Sequence, residues 1–267
     1  MKKTRLALAI SLMAAGPAFG ATFVNGGFES GDLTGWSTSG GCWGGGSFFG
    51  WSCGAAANVV PYTGAALPLS PTLFTENTGS FLVTSAGTDA ITGANTVYSG
   101  NHAVRVNDSI NNYGVSVLTQ SVSNYSDNSI FFAWNAVLEA SHGLTDSDYF
   151  ALVLRDVTDG VDLVTRAYSS AGSIGSGTTG VTWTPIGGWF TTGWVVEQID
   201  LASLGAVGHD FTLSVMASDC PYGGHAGYVY LDGFGAAPPT PTPEPGSLAL
   251  MAIGLVGAGL ARRRKIR

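Results

Sequence analysis

Apolar and polar side chains alternate with a period of two through the middle of this chain. "HAVRVND" (102–108) and "GVSVLTQSV" (114–122) keep the alternation, and "SIFFAWNAVLEA" (129–140) is a longer, nearly continuous apolar run. Period two marks a strand with one buried face, and a short apolar run between turn residues marks a fully buried strand. "DYFALVLRDVTDGVDLVTRAY" (148–168) predicts two strands joined at Asp159-Gly160, a dipeptide suited to the positive backbone angles of a hairpin turn. "WVVEQIDLASL" (194–204), "FTLSVMAS" (211–218) and "GYVYLDGFG" (227–235) add three more strands. Glycine, serine and threonine dominate the links, and no segment of the body keeps a 3.6-residue period over about 12 residues. The pattern predicts an all-β sandwich or jelly roll, not a parallel sheet with crossover helices.

Two other apolar stretches lie outside this body. Residues 1–20, "MKKTRLALAISLMAAGPAFG", set a basic start before an apolar run from Leu6 to Ala15 and small residues at Ala18 and Gly20. That is the layout of a secretory signal peptide, with cleavage expected after Gly20. The second stretch, 246–261, holds 16 residues from Gly246 to Ala261. As a helix it spans about 24 Å, a little short of a hydrocarbon core of about 30 Å, and the arginines beside it can snorkel to the interface. Those arginines fix residues 262–267 on the cytoplasmic side of the membrane, so the long body lies outside.

Charge sharpens the division. Of 11 lysines and arginines, three (Lys2, Lys3, Arg5) open the chain and five (Arg262, Arg263, Arg264, Lys265, Arg267) close it. Between these ends only Arg105, Arg155 and Arg166 face all 18 acidic residues, a net charge of −15. So acidic a segment repels phosphate backbones, which excludes nucleic acid as a partner. The body, residues 21–237, has the length of one all-β domain.

Before the apolar tail, "PPTPTPEP" (238–245) forms an extended proline-rich linker that can join neither a helix nor a central strand. Taken alone, this end reads as a permanent C-terminal membrane anchor. The order Pro243-Glu244-Pro245, apolar span, terminal arginines resembles the PEP-CTERM sorting signal of Gram-negative bacteria. The resemblance implies processing near that motif by exosortase, a membrane protease-transpeptidase, after passage through the export machinery. The chain is then held in the inner membrane only transiently and released to the cell surface or extracellular matrix. The family is associated with exopolysaccharide, and its tail also carries the label "ice-binding protein C-terminal domain", from which no ice-binding activity follows. "DCPYGGHAGYVYLDGFG" (219–235) resembles the end of other exported PEP-CTERM proteins.

The two ends of the body carry a second resemblance. "NGGFESGDLTGW" (Asn25 to Trp36) and "YVYLDGFG" (Tyr228 to Gly235) look like the first and last strands of carbohydrate-binding, galactose-binding-like jelly-roll modules, and "SGNHAVRVND" (99–108) is similar to an inner strand of such modules. About 60 residues, 37–98, separate Trp36 from that strand, which implies an inserted loop or extra hairpin. The resemblance also implies a structural calcium at Glu29 and Asp232, with Asn25 as a weaker ligand, since hard cations take carboxylate and carbonyl oxygens. The alternative is that both carboxylates cap turns.

Other residues admit two readings each. Cys42 and Cys53 bracket "CWGGGSFFGWSC", a loop that a disulfide would close in an oxidising compartment, worth about 3 kcal/mol on a chain-entropy estimate. A third thiol, Cys220, is left free or is the true partner of either. Trp43, Phe48, Phe49 and Trp51 crowd that loop, where aromatic faces can stack on sugar rings; alternatively they fold back onto a core that Trp36, Trp183, Trp189 and Trp194 help to fill. "GWSCG" (50–54) matches a nucleophile elbow in letters only, because no helix-forming segment follows Ser52. His142 and His225, with carboxylates near them in sequence, offer transition-metal ligands without firm motif spacing, and satisfied turn histidines are the rival reading.

These features predict a non-catalytic surface protein, a carbohydrate-binding module whose partner is extracellular polysaccharide. Two alternatives stand beside it: a polysaccharide hydrolase using two carboxylates about 5–10 Å apart, and a purely structural or adhesive matrix component.

Overall fold

A computed structural model describes residues 22–44, 59–61, 79–143, 145–171 and 180–241. The expected signal peptide (1–20), Phe48, Phe49, Trp51, Cys53, Pro243, Glu244, Pro245, the span 246–261 and the basic end 262–267 lie outside the described residues. Among the described residues no helix is long and apolar enough to cross a membrane.

In chain order the strands are β1 (Ser37–Gly44), β2 (Val59–Pro61), β3 (Phe81–Ser85), β4 (His102–Val106), β5 (Gly114–Val122), β6 (Ser129–Glu139) and β7 (Tyr149–Asp156). They continue with β8 (Val161–Ser169), β9 (Thr184–Ile186), β10 (Trp189–Thr191), β11 (Val195–Asp200), β12 (Phe211–Ser218) and β13 (Gly227–Gly235). Two sheets form the sandwich. One runs β2-β1-β5-β12-β7-β8; the other runs β3-β4-β13-β6-β10-β9, with β11 also on β6. Apart from the parallel β1–β2 pair, the neighbours are antiparallel. The segment 37–98 supplies β1 and β2 to the first sheet and β3 to the second.

The strands predicted from 102 onward are present, whereas Asn25–Trp36, expected as the first strand, forms none, and β1 begins at Ser37; the alternation sorts side chains into layers. Leu118, Phe132, Trp134, Leu138, Phe150, Leu152, Leu213, Val215, Val229 and Leu231 meet between the sheets in one apolar core. The intervening positions also find apolar cover. Val115, Val117, Tyr149, Ala151 and Met216 form a cluster with Trp43 on the outer face of the first sheet, while Val137, Tyr228 and Tyr230 form another on the second. Both faces of the central strands are thus buried, which is why β6 reads as a nearly continuous apolar run.

Two details differ from the expectation. The connection at Asp159-Gly160 spans four residues, 157–160, and only Gly160 takes a positive φ, +71°. "DLASL" does not extend its strand: Asp200 caps a single helical turn, α1 (Leu201–Leu204), accepting from the Ser203 N–H, and Gly205 ends it in the left-handed conformation.

The body's few cations are all committed. Arg166 on β8 forks onto both Glu197 oxygens on β11, at 2.8 Å each, and the Trp134 indole donates to the same carboxylate at 3.1 Å. That group ties the edges of the two sheets together. Arg155 pairs with Asp162 across the β7–β8 hairpin, and Arg105 lies over the Tyr228 ring.

Candidate functional site

The N-terminal segment 22–36 makes no strand; it coils against the end of β13. Phe23, Trp36 and Phe234 pack their rings together there, Phe23 and Phe234 with centroids 3.8 Å apart. The Phe234 N–H donates to the Gly26 carbonyl, and a Cβ on Gly26 would sit 1.7 Å from the Phe234 carbonyl oxygen, so only glycine permits the approach. Phe28 holds a φ of +58°, a backbone conformation costly for so bulky a residue, within this buried seam.

This seam brings Glu29 and Asp232 together. An idealised Cβ on Gly27 lies 3.7 Å from Asp232 Oδ1 and 3.8 Å from Glu29 Cγ, so the two acidic side chains flank one glycine. Glu29 Oε1 accepts from the backbone N–H groups of Asn101 and His102 at 2.8 and 3.0 Å. Asp232 is fully buried. Its Oδ2 accepts from the N–H groups of Tyr98 and Ser99 at 2.9 and 2.8 Å, whereas Oδ1 has no hydrogen-bond partner among the described residues. Burial pushes its carboxyl up to about 7 against the pull of those N–H donors, with Glu29's charge adding to the rise. An orphaned buried carboxylate oxygen beside a second carboxylate is a donor set that suits a hard cation. Asn25 is engaged locally: its Oδ1 accepts from the Ser30 N–H and its Nδ2 donates to the Asp32 carbonyl.

Trp43 is 3% exposed, and its indole donates to the Asp219 carbonyl at 3.1 Å. Cys42 is disulfide-bonded and Cys220 is a buried free thiol. Of the tryptophans expected in the core, Trp36 is there and Trp183 packs against it, but Trp189 and Trp194 pack on the outer face of the second sheet. They are half-buried on that face, and Tyr98, also half-buried, lies with its ring 5.5 Å from Trp194. This aromatic patch escapes the sequence pattern because β10 is three residues long and Trp194 precedes β11.

Beneath the patch, a loop folds over the sheet around Asp89. The hydroxyls of Tyr228 and Tyr230 both donate to Asp89 Oδ2, at 2.8 and 2.9 Å. Oδ1 accepts from the N–H groups of Ile91 and Thr92 and from the Thr92 hydroxyl. Burial raises this carboxyl, but hydrogen bonds from Thr92, Tyr228 and Tyr230 outweigh it and hold it below its usual range.

Two loops at one end of the sandwich, β6–β7 and β12–β13, carry the histidines. His142 Nδ1 lies 2.9 Å from Asp146 Oδ2, the Cys220 thiol donates to Asp146 Oδ1, and the rings of His142 and His225 meet edge to face at 4.5 Å. Burial and then the neighbouring His142 lower His225. Below these loops, Asp148 and Asp219 are fully buried. Asp148 accepts from Ser170 and the Glu139 N–H, and Asp219 from Asn107, Asn112 and Gly114. Burial raises both carboxyls, Asp219 to about 7.

Residues 241–265 match the family model of the PEP-CTERM protein-sorting motif, which marks a chain for export and processing at the membrane. No curated protein sequence matches the chain. Structural neighbours include carbohydrate-binding modules and, at 8% identity and a TM-score of 0.34, the enzymatically active domain of a bacteriophage tailspike protein. One module is TmCBM61 in complex with β-1,4-galactotriose, 12% identical with a TM-score of 0.38, covering 80% of this chain and 96% of that one. Another is CBM27-1 of Caldicellulosiruptor saccharolyticus in complex with mannohexaose, 11% identical, TM-score 0.36, covering 80% and 94%. A third, CBM28, specific for non-crystalline cellulose, is 13% identical, TM-score 0.35, covering 79% and 92%.

Proposed function

We propose that this chain is an exosortase substrate, delivered to the cell surface or extracellular matrix, whose β-sandwich body binds polysaccharide without catalysis. The sorting motif at 241–265 carries the first half of this reading. The second half rests on the aromatic patch of Tyr98, Trp189 and Trp194, side chains left half-buried where packing alone would hide them. Flat aromatic faces at a surface suit the apolar faces of sugar rings. The loop aromatics Phe48, Phe49 and Trp51 are a second ligand-binding group in this reading, whereas Trp43, expected among them, is buried against the first sheet and offers no face to a sugar. A Cys42–Cys53 bridge closes their loop, and a calcium ion held by Glu29 and Asp232 braces the seam.

A glycan-array screen of the purified chain tests the binding. Trp194→Ala and Trp189→Ala should each weaken capture of the preferred glycan about tenfold, or about 1.4 kcal/mol. Absence of any glycan capture by the folded protein removes the carbohydrate reading. Mass spectrometry of surface material tests the sorting: the mature form should end near Pro243-Glu244-Pro245, and a dominant form ending at Arg267 refutes it. Non-reducing peptide mapping should join Cys42 to Cys53.

A further inference from the structure

We propose that His142, Asp146 and His225 form a binding site for a divalent transition-metal ion of the zinc class. One ligand atom from each of these residues lies within 4.8 Å of the other two, close enough for one ion to draw all three in. The two histidines stand 83 positions apart in sequence. They meet because β6 pairs with β13 and β7 with β12, which places the β6–β7 and β12–β13 loops side by side.

The donor set selects the ion. Two imidazole nitrogens and one carboxylate oxygen suit zinc and its neighbours, whereas calcium and magnesium take oxygen ligands. Nδ1 of His225 is shielded from solvent and makes no hydrogen bond among the described residues. A neutral imidazole nitrogen without a hydrogen-bond donor keeps a lone pair free, and a cation takes that lone pair while the neighbouring carboxylate offsets its charge.

The surroundings hold the ligands in place. Asp146 and Gly143 exchange backbone hydrogen bonds that tighten the first loop, and the Cys220 N–H donates to the His225 carbonyl across the second. The Cys220 thiol occupies Asp146 Oδ1 and leaves Oδ2 facing the imidazoles, so Cys220 is a positioning residue. The His142 side chain is 70% exposed, which leaves the fourth coordination position open to water or to an external ligand. The site stands apart from the Glu29–Asp232 seam: Asp232 lies five positions along β13 from Gly227, about 17 Å of strand.

Melting of the full-length chain with zinc, with calcium and with chelator tests the site, together with equilibrium dialysis to count bound zinc. Zinc at a hundredfold excess over its dissociation constant should raise the melting temperature by about 5–10 °C, and calcium should not reproduce the rise in an Asp232→Asn background. His142→Ala and His225→Ala should each abolish the rise and the bound zinc while melting like the parent in chelator. Cys220→Ser should keep both. The assignment is overturned if no zinc is retained on dialysis, if the double histidine variant still binds it, or if Cys220→Ser alone removes it. Should either histidine variant melt early in chelator, dialysis below its transition decides by the same criterion.

Discussion

Asp89 and Asp232 are both buried carboxylates beside the same sheet, and their surroundings leave them in opposite states. Asp89 receives three donors on one oxygen and two tyrosine hydroxyls on the other, and its proton is held less tightly than usual. Asp232 receives two backbone donors on one oxygen and none on the other, and its carboxyl is pushed up to about 7. Burial is common to both; the supply of donors separates them. A carboxylate with a full complement of hydrogen bonds anchors a loop, whereas one left short is poised to take a proton or a cation.

The largest effect should come from removing the saturated acid. Asp89→Ala leaves two buried tyrosine hydroxyls and the donors of the 91–92 turn without an acceptor, and should cost about 3–4 kcal/mol in denaturant unfolding. A loss under about 1 kcal/mol would mean that the loop does not depend on this acid. Next is calcium at the unsaturated acid. A hundredfold excess over the dissociation constant should stabilise the protein by about 2.7 kcal/mol, and Glu29→Gln and Asp232→Asn should each shrink the gain. Coincident melting curves with calcium and chelator would return Glu29 and Asp232 to the role of turn caps.

The pH dependence sharpens the contrast further, because the two groups have opposite signs. In chelator, folded Asp232 keeps a proton that the unfolded chain releases near 3.8, so its contribution to stability falls as pH rises from about 4 to 7. Asp89, held below its usual range, contributes stability that is present above about pH 4 and lost as pH falls through its folded value. Subtracting the profile of Asp232→Asn from that of the parent isolates the first group, since Asp219 rises in the same window. The difference should slope by at most about 1.4 kcal/mol per pH unit. A flat difference would mean that Asp232 is ionised throughout. The smallest effect concerns the cation beside the saturated acid. Arg105 lies 5.6 Å from the Tyr228 ring centroid, and Arg105→Met should cost about 0.5–1 kcal/mol, measured by the same unfolding.

The sequence carries the Glu29–Asp232 pairing only through the resemblance of its two ends to jelly-roll modules, because 202 positions separate the two acids. The orphaned Oδ1 is invisible in sequence; it depends on which backbone N–H groups the loop at 98–99 presents. Asp89 passes unnoticed for a similar reason. Nothing in "SAGTDAITGAN" (85–95) distinguishes an acid that will accept from two tyrosines of β13. Size and apolarity place Trp189 and Trp194 in the core by sequence, but they do not encode which face of the sheet a three-residue strand, or the residue before a strand, presents.

By itself the sequence determined what is local and repeated. The period of two in β5, β7 and β12 selects strands, the apolar run of β6 selects burial on both faces, and the motif around Pro243-Glu244-Pro245 supplies the address, each readable within one short stretch. Tertiary structure decided what depends on strand order. His142 and His225 share a site because β6 lies against β13, and Asp89 is saturated because its loop folds over that same strand. Glu29 meets Asp232 because an N-terminal coil packs on the end of β13. A two-residue period specifies which side of a strand is apolar and is blind to which strand comes next to it, so these encounters arise only when two sheets bury their faces together.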